Sequence, residues 1–291
     1  MKHIPITKIL VPVDFSETSG HFTRVAAAIA KRHQASLILI HVFEPFYESY
    51  RHPMSGIMER WLDEVKKMSS ERLAVWISEI SEKYGIECSY DFMIGNVCDL
   101  ISYSAESNNC SLIVMGTHGT SGFREYFIGS NAYRMVKYAP CPVLTVPNQN
   151  SPEKFGTILF PVRLVPHALD KYYYVRSIAK KNDSTLHVLG LIDSKSPERI
   201  NEMKAQLAAL EAELVVDGLK KTVTISIVEN FATETMKEAA RIHADLIVAT
   251  ADLDHTIKKF FIGTYIQQIV NHSNIPVLSV RPDIYEENLP G

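Results

Sequence analysis

The sequence has few cysteines and no long apolar run. Its 291 residues include four cysteines, all in the first half, and none of them forms a Cys-x-x-Cys pair. This sparse pattern does not indicate a disulfide framework, and we interpret the cysteines as buried, reduced thiols. No apolar run approaches the ~20 residues that a membrane-spanning helix needs.

The sequence also lacks an excess of either charge. Its 30 basic and 33 acidic residues are mixed along the chain and give a formal net charge of -3. No field strong enough to gather nucleic acid or an anionic membrane is expected. The segment Met1–Lys8 has no apolar core followed by small residues, so we do not interpret it as a signal peptide. Together with reduced thiols, this favours a cytoplasmic location.

The sequence does contain an internal repeat. Ile9–Val13 recurs as Ile158–Val162, at an offset of 149 residues, and Phe127–Ser130 recurs as Phe261–Thr264, at an offset of 134. The second copy is therefore shorter by 15 residues, which are missing between its second and third strands. Self-similarity of this kind indicates that one structural unit occurs twice.

Each copy alternates short β-branched runs with longer amphipathic stretches, a pattern typical of a parallel sheet covered by helices. We predict an α/β fold with five strands and four helices per copy. In the first copy the predicted strands lie near 8–13, 35–42, 86–93, 111–116 and 143–146, and the helices near 18–33, 57–84, 97–108 and 129–138. In the second copy the predicted strands lie near 157–162, 184–191, 222–228, 245–250 and 277–280. A polar, proline-containing stretch predicts an exposed linker between domains at 1–147 and 155–282.

Glycines surround the loop that follows the fourth strand of the first copy. Gly116 and Gly119 lie at its start, and Gly129 and Ser130 open the next helix. Glycine lets the backbone approach an anion closely, and the first N–H groups of a helix are unpaired donors at the positive end of its dipole. The loop therefore predicts a phosphate cradle at the carboxyl edge of the sheet, where open parallel sheets bind ligands.

Asp14 follows the first strand and is expected to face the same crevice. A carboxylate there can accept hydrogen bonds from a ribose diol or an adenine amino group. The alternative is that Asp14 caps the helix beginning near Thr18. The two roles can coexist.

These segments resemble the universal stress protein family. The resemblance covers essentially the whole chain, twice, and rests on four motifs: a strand ending Val11-Pro12-Val13-Asp14, a second ending His41-Val42, the spacing Gly116-x-x-Gly119-x9-Gly129-Ser130, and Ala139-Pro140-Cys141-Pro142-Val143-Leu144 before the fifth strand. It implies two tandem Rossmann-like domains, each with a five-stranded parallel sheet in the order 3-2-1-4-5. In that family the long-gap glycine motif marks the ATP-binding branch.

The resemblance further implies an ATP site in the first copy, with a divalent cation such as Mg²⁺ on the phosphates. Asp14 and the backbone of Val42 would hold ribose and adenine, and Pro12 and Val13 would line the base pocket. Ribose and phosphates would be wrapped by Gly116, Gly119, Gly129, Ser130 and Asn131. Arg124 is a candidate for the γ-phosphate because a guanidinium suits phosphate oxygens, although exposed loop arginines are common.

The second copy departs from this motif. Arg163 stands at the position of Asp14, Thr250 at that of Gly116 and Leu253 at that of Gly119. Side chains at 250 and 253 are expected to obstruct phosphate, so we predict weak or no ATP binding there. Arg163 could neutralise another anion or be a surface arginine without a ligand.

The motifs contain no positioned nucleophile, general base or metal-activated water, so slow ATP hydrolysis is the most that is expected. Three functions remain open: an ATP-dependent regulatory stress-response binder, a nucleotide-free scaffold or small-ligand carrier, and an ATP-using enzyme. The enzyme is disfavoured because neither a Ser-Gly-Gly-x-Asp loop nor a His-Ile-Gly-His motif occurs. Family members dimerise along the fifth strands, and a tandem chain can satisfy those edges internally as a pseudo-dimer, with further homodimerisation open.

Overall fold

The structure, a computed structural model, describes residues 4–45, 56–117, 129–147, 151–251 and 264–281. The first copy contains β1 (Lys8–Pro12), α1 (Glu17–His33), β2 (Ser36–Phe43), α2 (Gly56–Tyr84), β3 (Cys88–Ile94), α3 (Val97–Ser107), β4 (Leu112–Gly116), α4 (Ser130–Tyr138) and β5 (Val143–Val146). The second contains β6 (Thr157–Arg163), α5 (Lys171–Asn182), β7 (Thr185–Ile192), α6 (Pro197–Val216), β8 (Lys220–Ile227), α7 (Phe231–Arg241), β9 (Leu246–Thr250), α8 (Thr264–His272) and β10 (Val277–Val280). The predicted strands agree with these bounds to within two residues.

The described strands form one sheet in the order β3-β2-β1-β4-β5-β10-β9-β6-β7-β8. Within each copy neighbouring strands are parallel, whereas β5 and β10 pair antiparallel, with Leu144 opposite Leu278. The Thr145 hydroxyl also donates a hydrogen bond to the carbonyl of Val277 at 3.3 Å. Each copy therefore covers the edge strand of the other, as the tandem arrangement predicted.

Helices cover both faces of the sheet, so alternate residues of a strand enter different apolar layers. In β1, Ile9 and Val11 enter the layer beneath α1 and α2, and Leu10 enters the layer beneath α3 and α4. This two-sided burial explains why the strands read as continuous apolar runs. In the part of the chain that the structure describes, no helix has both the length and the apolar character to cross a membrane.

The linker is partly packed: the prediction of an exposed linker is wrong at Ser151, whereas Glu153 and Lys154 are exposed as predicted. Ser151 is 8% exposed, and its N–H donates to Nε2 of His21 on α1 at 3.2 Å. The Arg32 guanidinium, also on α1, donates to the carbonyl of Glu153. These polar partners satisfy linker backbone groups that would be costly to bury unpaired.

The four cysteines are free thiols, and the interpretation that they are buried is confirmed for Cys98, Cys110 and Cys141, whereas Cys88 is half-buried. Burial raises the pKa of Cys88 and of Cys110 to about 11. These two thiols therefore stay protonated at neutral pH, and the nucleophilic thiolate is scarce.

Candidate functional site

A cavity of about 300 Å³ opens at the carboxyl ends of β1 and β4 in the first copy. It is lined by Pro12, Val13, Asp14, Phe22, Ile40, His41, Val42, Val97, Ile101, Met115, Gly116, Thr117, Gly129, Ser130, Asn131 and Ala132. Eight of the ten predicted site residues are among them. The other two, Gly119 and Arg124, lie outside the described residues. The volume is at the lower end of the range for small-molecule pockets, about 300–1,000 Å³.

One side of the cavity is apolar. Ile40 and Val42 come from β2, Val97 and Ile101 from α3, and Met115 from the end of β4. These side chains belong to or border the apolar layer beneath α3 and α4. A flat heteroaromatic ring can bury its faces against such a wall, at about 25 cal/mol per Å² of apolar area removed from water.

The backbone at the start of α4 forms another side. Gly129 is the N-cap of α4 and makes no side-chain capping hydrogen bond. Its N–H donates to the carbonyl of Thr117 at 2.8 Å, which joins the two ends of the glycine loop. Gly129 thus contributes no side-chain cap to the first N–H groups of α4, which carry the positive end of the helix dipole. Together with the Ser130 hydroxyl, they suit an anionic ligand.

Asn131, in the first turn of α4, contacts a buried thiol. Cys98 donates from Sγ to Asn131 Oδ1 at 3.5 Å and to the Asn131 carbonyl at 3.8 Å. Burial raises the pKa of Cys98, so the thiol keeps the proton that it donates. Sequence reasoning missed this contact, because a cysteine in a helix carries no signal of what it touches.

Asp14 lies exposed at the rim of the cavity. Its Oδ1 accepts hydrogen bonds from the Ser16 N–H at 3.0 Å and from the Ser16 hydroxyl at 2.6 Å. Ser16 Oγ in turn accepts the Ser19 N–H at 3.1 Å, which makes Ser16 the N-cap of α1. The alternative that Asp14 caps this helix is therefore wrong, because α1 begins at Glu17 and the capping position falls two residues after Asp14.

In the second copy, larger side chains stand at two positions that line the cavity in the first copy. Tyr265 stands at the position of Asn131 and is 7% exposed, with its hydroxyl 3.2 Å from Thr235 Oγ1. Arg163 stands at the position of Asp14, and its guanidinium carbon lies 4.0 Å from the centre of the Tyr265 ring. Arg163 is thus stacked on a buried ring and is itself half-buried.

Thr250, one of the two side chains expected to obstruct phosphate, is hydrogen-bonded within the second copy. Its hydroxyl accepts a hydrogen bond from the ammonium of Lys171 at 3.1 Å. Lys171, which stands where the first copy has Phe22, is 2% exposed, also donates to the Ala168 carbonyl at 2.6 Å and lies 4.5 Å from the centre of the Phe160 ring. The Thr250 side chain is therefore engaged with α5. Leu253, the other expected obstruction, lies outside the described residues.

Comparisons with known proteins cover both halves of the chain. The sequence profile of the universal stress protein family matches residues 5–147 and 154–281. A universal stress protein of Methanocaldococcus jannaschii is 33% identical over 141 residues, which cover 48% of this chain and 81% of the relative. A universal stress protein of Thermus aquaticus is 30% identical over 139 residues, which cover 47% of this chain and 96% of the relative. The crystal structure of a universal stress protein from Archaeoglobus fulgidus matches 94% of this chain and 98% of its own, with a TM-score of 0.75 and 20% identity, and so shares the fold of both halves.

Proposed function

Because the chain belongs to the universal stress protein family, we propose that its first copy binds ATP, that its second copy does not, and that the protein acts as a stress-response regulatory binder. The observation that carries the proposal is the contrast at one pair of equivalent positions. Asn131 lines an open cavity, whereas Tyr265 is buried beneath Arg163. The first copy therefore has space for a nucleotide that the second has given to its own side chains.

Each part of the cavity suits one part of ATP. The apolar wall of Val42, Val97 and Met115 takes the adenine ring, and the Asp14 carboxylate accepts hydrogen bonds from the ribose hydroxyls. The phosphates lie against Gly129 and Ser130, where the N–H groups of α4 and its dipole favour negative charge.

The residues present fit a Mg²⁺ ion that is carried by the phosphates. The described residues include no group of three or more His, Cys, Asp or Glu side chains suited to holding a metal. Hard cations such as Mg²⁺ are commonly bound through substrate phosphates with few protein ligands. Bound in this way, the ion would neutralise phosphate charge, while the chain itself supplies backbone N–H groups and the Ser130 hydroxyl.

Binding is the chemistry that this site supports. The second copy would serve chiefly as the structural partner of the first, since β10 covers the edge of β5. Nucleotide occupancy would then act on conformation or partner choice, with slow hydrolysis at most.

Two measurements test the proposal. Mass spectrometry identifies any nucleotide that the purified chain retains, and calorimetric titration with Mg-ATP counts the binding sites. We expect one adenine nucleotide per chain. Gly129→Val is the matched variant, because φ -59° and ψ 147° are accessible to valine while its methyl groups would cover the helix N-terminus. It should lose binding with only a small drop in melting temperature, since valine is a poorer N-cap than glycine. Two equivalent sites would contradict the assignment to one copy, and no binding at all would favour a nucleotide-free scaffold.

A further inference from the structure

Phe15, the residue after Asp14, has a φ of 62°, in the left-handed region that bulky side chains rarely adopt. The other non-glycine residues with positive φ in the described ranges all have polar side chains: Gln34, Asn109, His167, Asp183 and His243. Left-handed conformations at such residues are common, because short polar side chains bond locally and helices often end in this way. Phe15 instead precedes a helix and is aromatic, so its conformation requires support from its surroundings.

The conformation of Phe15 creates the turn that holds Asp14. The chain bends at Phe15 and Ser16, and the Ser16 N–H lies 3.0 Å and its hydroxyl 2.6 Å from Asp14 Oδ1. This is the side-chain turn in which an Asp bonds the backbone two residues on. Because the same serine caps α1, the orientation of the Asp14 carboxylate is tied to the start of that helix.

Three side chains support the Phe15 ring on the face of the sheet that carries α1 and α2. The ring centre lies 4.6 Å from that of His41 and 5.7 Å from that of Trp76, and the Arg72 guanidinium carbon lies 4.1 Å above it. His41 Nδ1 also donates to the carbonyl of Val13 at 2.7 Å, directly before Asp14. Aromatic and cation–π contacts of this kind can offset the cost of an unfavourable backbone conformation.

The second copy lacks this arrangement. Leu164 and Gly190 stand at the positions of Phe15 and His41, and Leu164 is not among the described residues with positive φ. Its turn has a different hydrogen bond, from the Val165 N–H to the carbonyl of Arg163 at 2.9 Å. The aromatic support therefore occurs in the copy that has the carboxylate at its crevice.

We propose that Phe15 is a positioning residue that orients the Asp14 carboxylate toward the ribose hydroxyls of the bound nucleotide; this inference rests on the proposed function. The aromatic support holds Phe15 in the left-handed conformation, and that conformation presents the Asp14 carboxylate at the cavity rim. Phe15 needs no contact with the ligand in this role.

The test is a double-mutant cycle with ATP, 2′-deoxy-ATP and 3′-deoxy-ATP. Phe15→Ala should weaken ATP binding about tenfold and remove the preference for ATP over the deoxy analogues, since one charge-assisted hydrogen bond is lost. In the Asp14→Ala background, Phe15→Ala should have no further effect, because Asp14→Ala removes the acceptor through which both residues act. Additive losses, or an intact preference for ATP in Phe15→Ala, would overturn the positioning role.

Phe15→Gly separates backbone positioning from simple packing. Glycine adopts a φ of 62° without strain, so this variant should keep more of the ATP preference than Phe15→Ala, although it removes more side chain. A greater loss in Phe15→Gly would overturn the proposal in favour of packing. Leu164→Ala is the control in the second copy and should leave nucleotide binding unchanged.

The failure of this inference is distinguishable from that of the proposed function. If the wild-type chain binds ATP and the cycle is additive, the positioning role alone fails. If the wild-type chain binds no ATP, the proposed function fails and the positioning role falls with it. Hydrogen exchange of the Ser16 amide in the nucleotide-free protein tests the turn itself, and exchange no faster in Phe15→Ala than in the wild type would also overturn the proposal.

Discussion

The two copies share one fold and differ in what occupies the crevice at the carboxyl ends of their strands. The first copy leaves a cavity of about 300 Å³ there. The second packs Tyr265 beneath Arg163 at the equivalent place. A buried ring stabilises the fold at all times, whereas an open cavity gains stability only when a ligand binds to the native state. Duplication thus allows one copy to keep a ligand site while its partner supplies constant stability and an edge strand.

The largest expected effect is on the free energy of unfolding and follows from removing the Tyr265 ring in the second copy. Tyr265→Ala should lower the free energy of unfolding by about 3–5 kcal/mol, because it removes a buried ring and leaves a cavity. Asn131→Ala, at the equivalent place in the first copy, should cost far less, since Asn131 borders open space. Urea unfolding of both variants measures the difference, and equal losses would contradict the contrast between a filled and an open crevice.

The converse change should close the first crevice. Asn131→Tyr places the second copy's side chain at the start of α4 and should weaken ATP binding about 100-fold, or about 2.7 kcal/mol. The new ring would compete with the nucleotide for the apolar wall. Calorimetric titration checks this, with Tyr265→Phe as the control, because that variant loses only a hydroxyl in the other copy. Unchanged ATP affinity in Asn131→Tyr would show that the nucleotide binds elsewhere.

The repeat and the strands could be predicted because their signals are local, whereas the strand order was implied by the resemblance to the universal stress protein family. An apolar run such as Ile9–Val13 indicates a buried strand, and its recurrence indicates a second unit of the same kind. Part of the cavity lining could be predicted for a related reason. Asp14 and Gly129 directly follow strands or open a helix, and the carboxyl ends of parallel strands meet at one edge of the sheet.

The remaining features depend on contacts that the sequence does not encode locally. Lys171 opens a helix, where a lysine is ordinarily solvated, yet it is 2% exposed and bonded to Thr250. Tyr265 has no sequence feature that distinguishes it from other core tyrosines; its importance follows from its position, which is equivalent to that of Asn131. The left-handed conformation of Phe15 is unusual for an aromatic residue, and residue preferences predict a negative φ at this position.

A smaller effect is expected at the junction between helices in the second copy. Asp217 follows α6, its side chain is 2% exposed, and it accepts hydrogen bonds from Tyr172 at 2.5 Å, from Lys180 at 2.8 Å and from Arg176. In the first copy the corresponding residue before the helix-ending glycine is Tyr84. Asp217→Asn should lower the free energy of unfolding by about 2 kcal/mol, since charge-assisted hydrogen bonds are lost.

The pH dependence of stability checks the role of Asp217. Burial alone would raise its pKa, but hydrogen bonds from Lys180 and Tyr172 and the charge of Arg176 outweigh burial and hold the pKa below the usual value. This stabilisation is complete above the ordinary aspartate pKa of about 3.9 and is lost as the pH falls through the folded-state value. Asp217→Asn should therefore make the free energy of unfolding less dependent on pH in the acid range. A hydrogen bond from Lys220 also lowers the pKa of Asp183, but this ion pair is exposed, so Asp183→Asn should have a smaller effect, and equal curves for both variants would contradict this role.

The smallest expected effect is on the pH dependence of the melting temperature and comes from one half-buried histidine in each copy. Burial and the nearby Arg24 lower the pKa of His21, although Glu153 opposes them, and burial lowers the pKa of His187. The folded state therefore favours the neutral rings, and their stabilisation is present above the ordinary histidine pKa of about 6.5 and is lost as the pH falls through the lowered values. His21→Gln and His187→Gln should each reduce the drop in melting temperature between about pH 7.5 and 5.5. Their effects should add because the sites lie in different copies, and a double variant as pH-sensitive as the wild type would place the acid-labile contacts elsewhere.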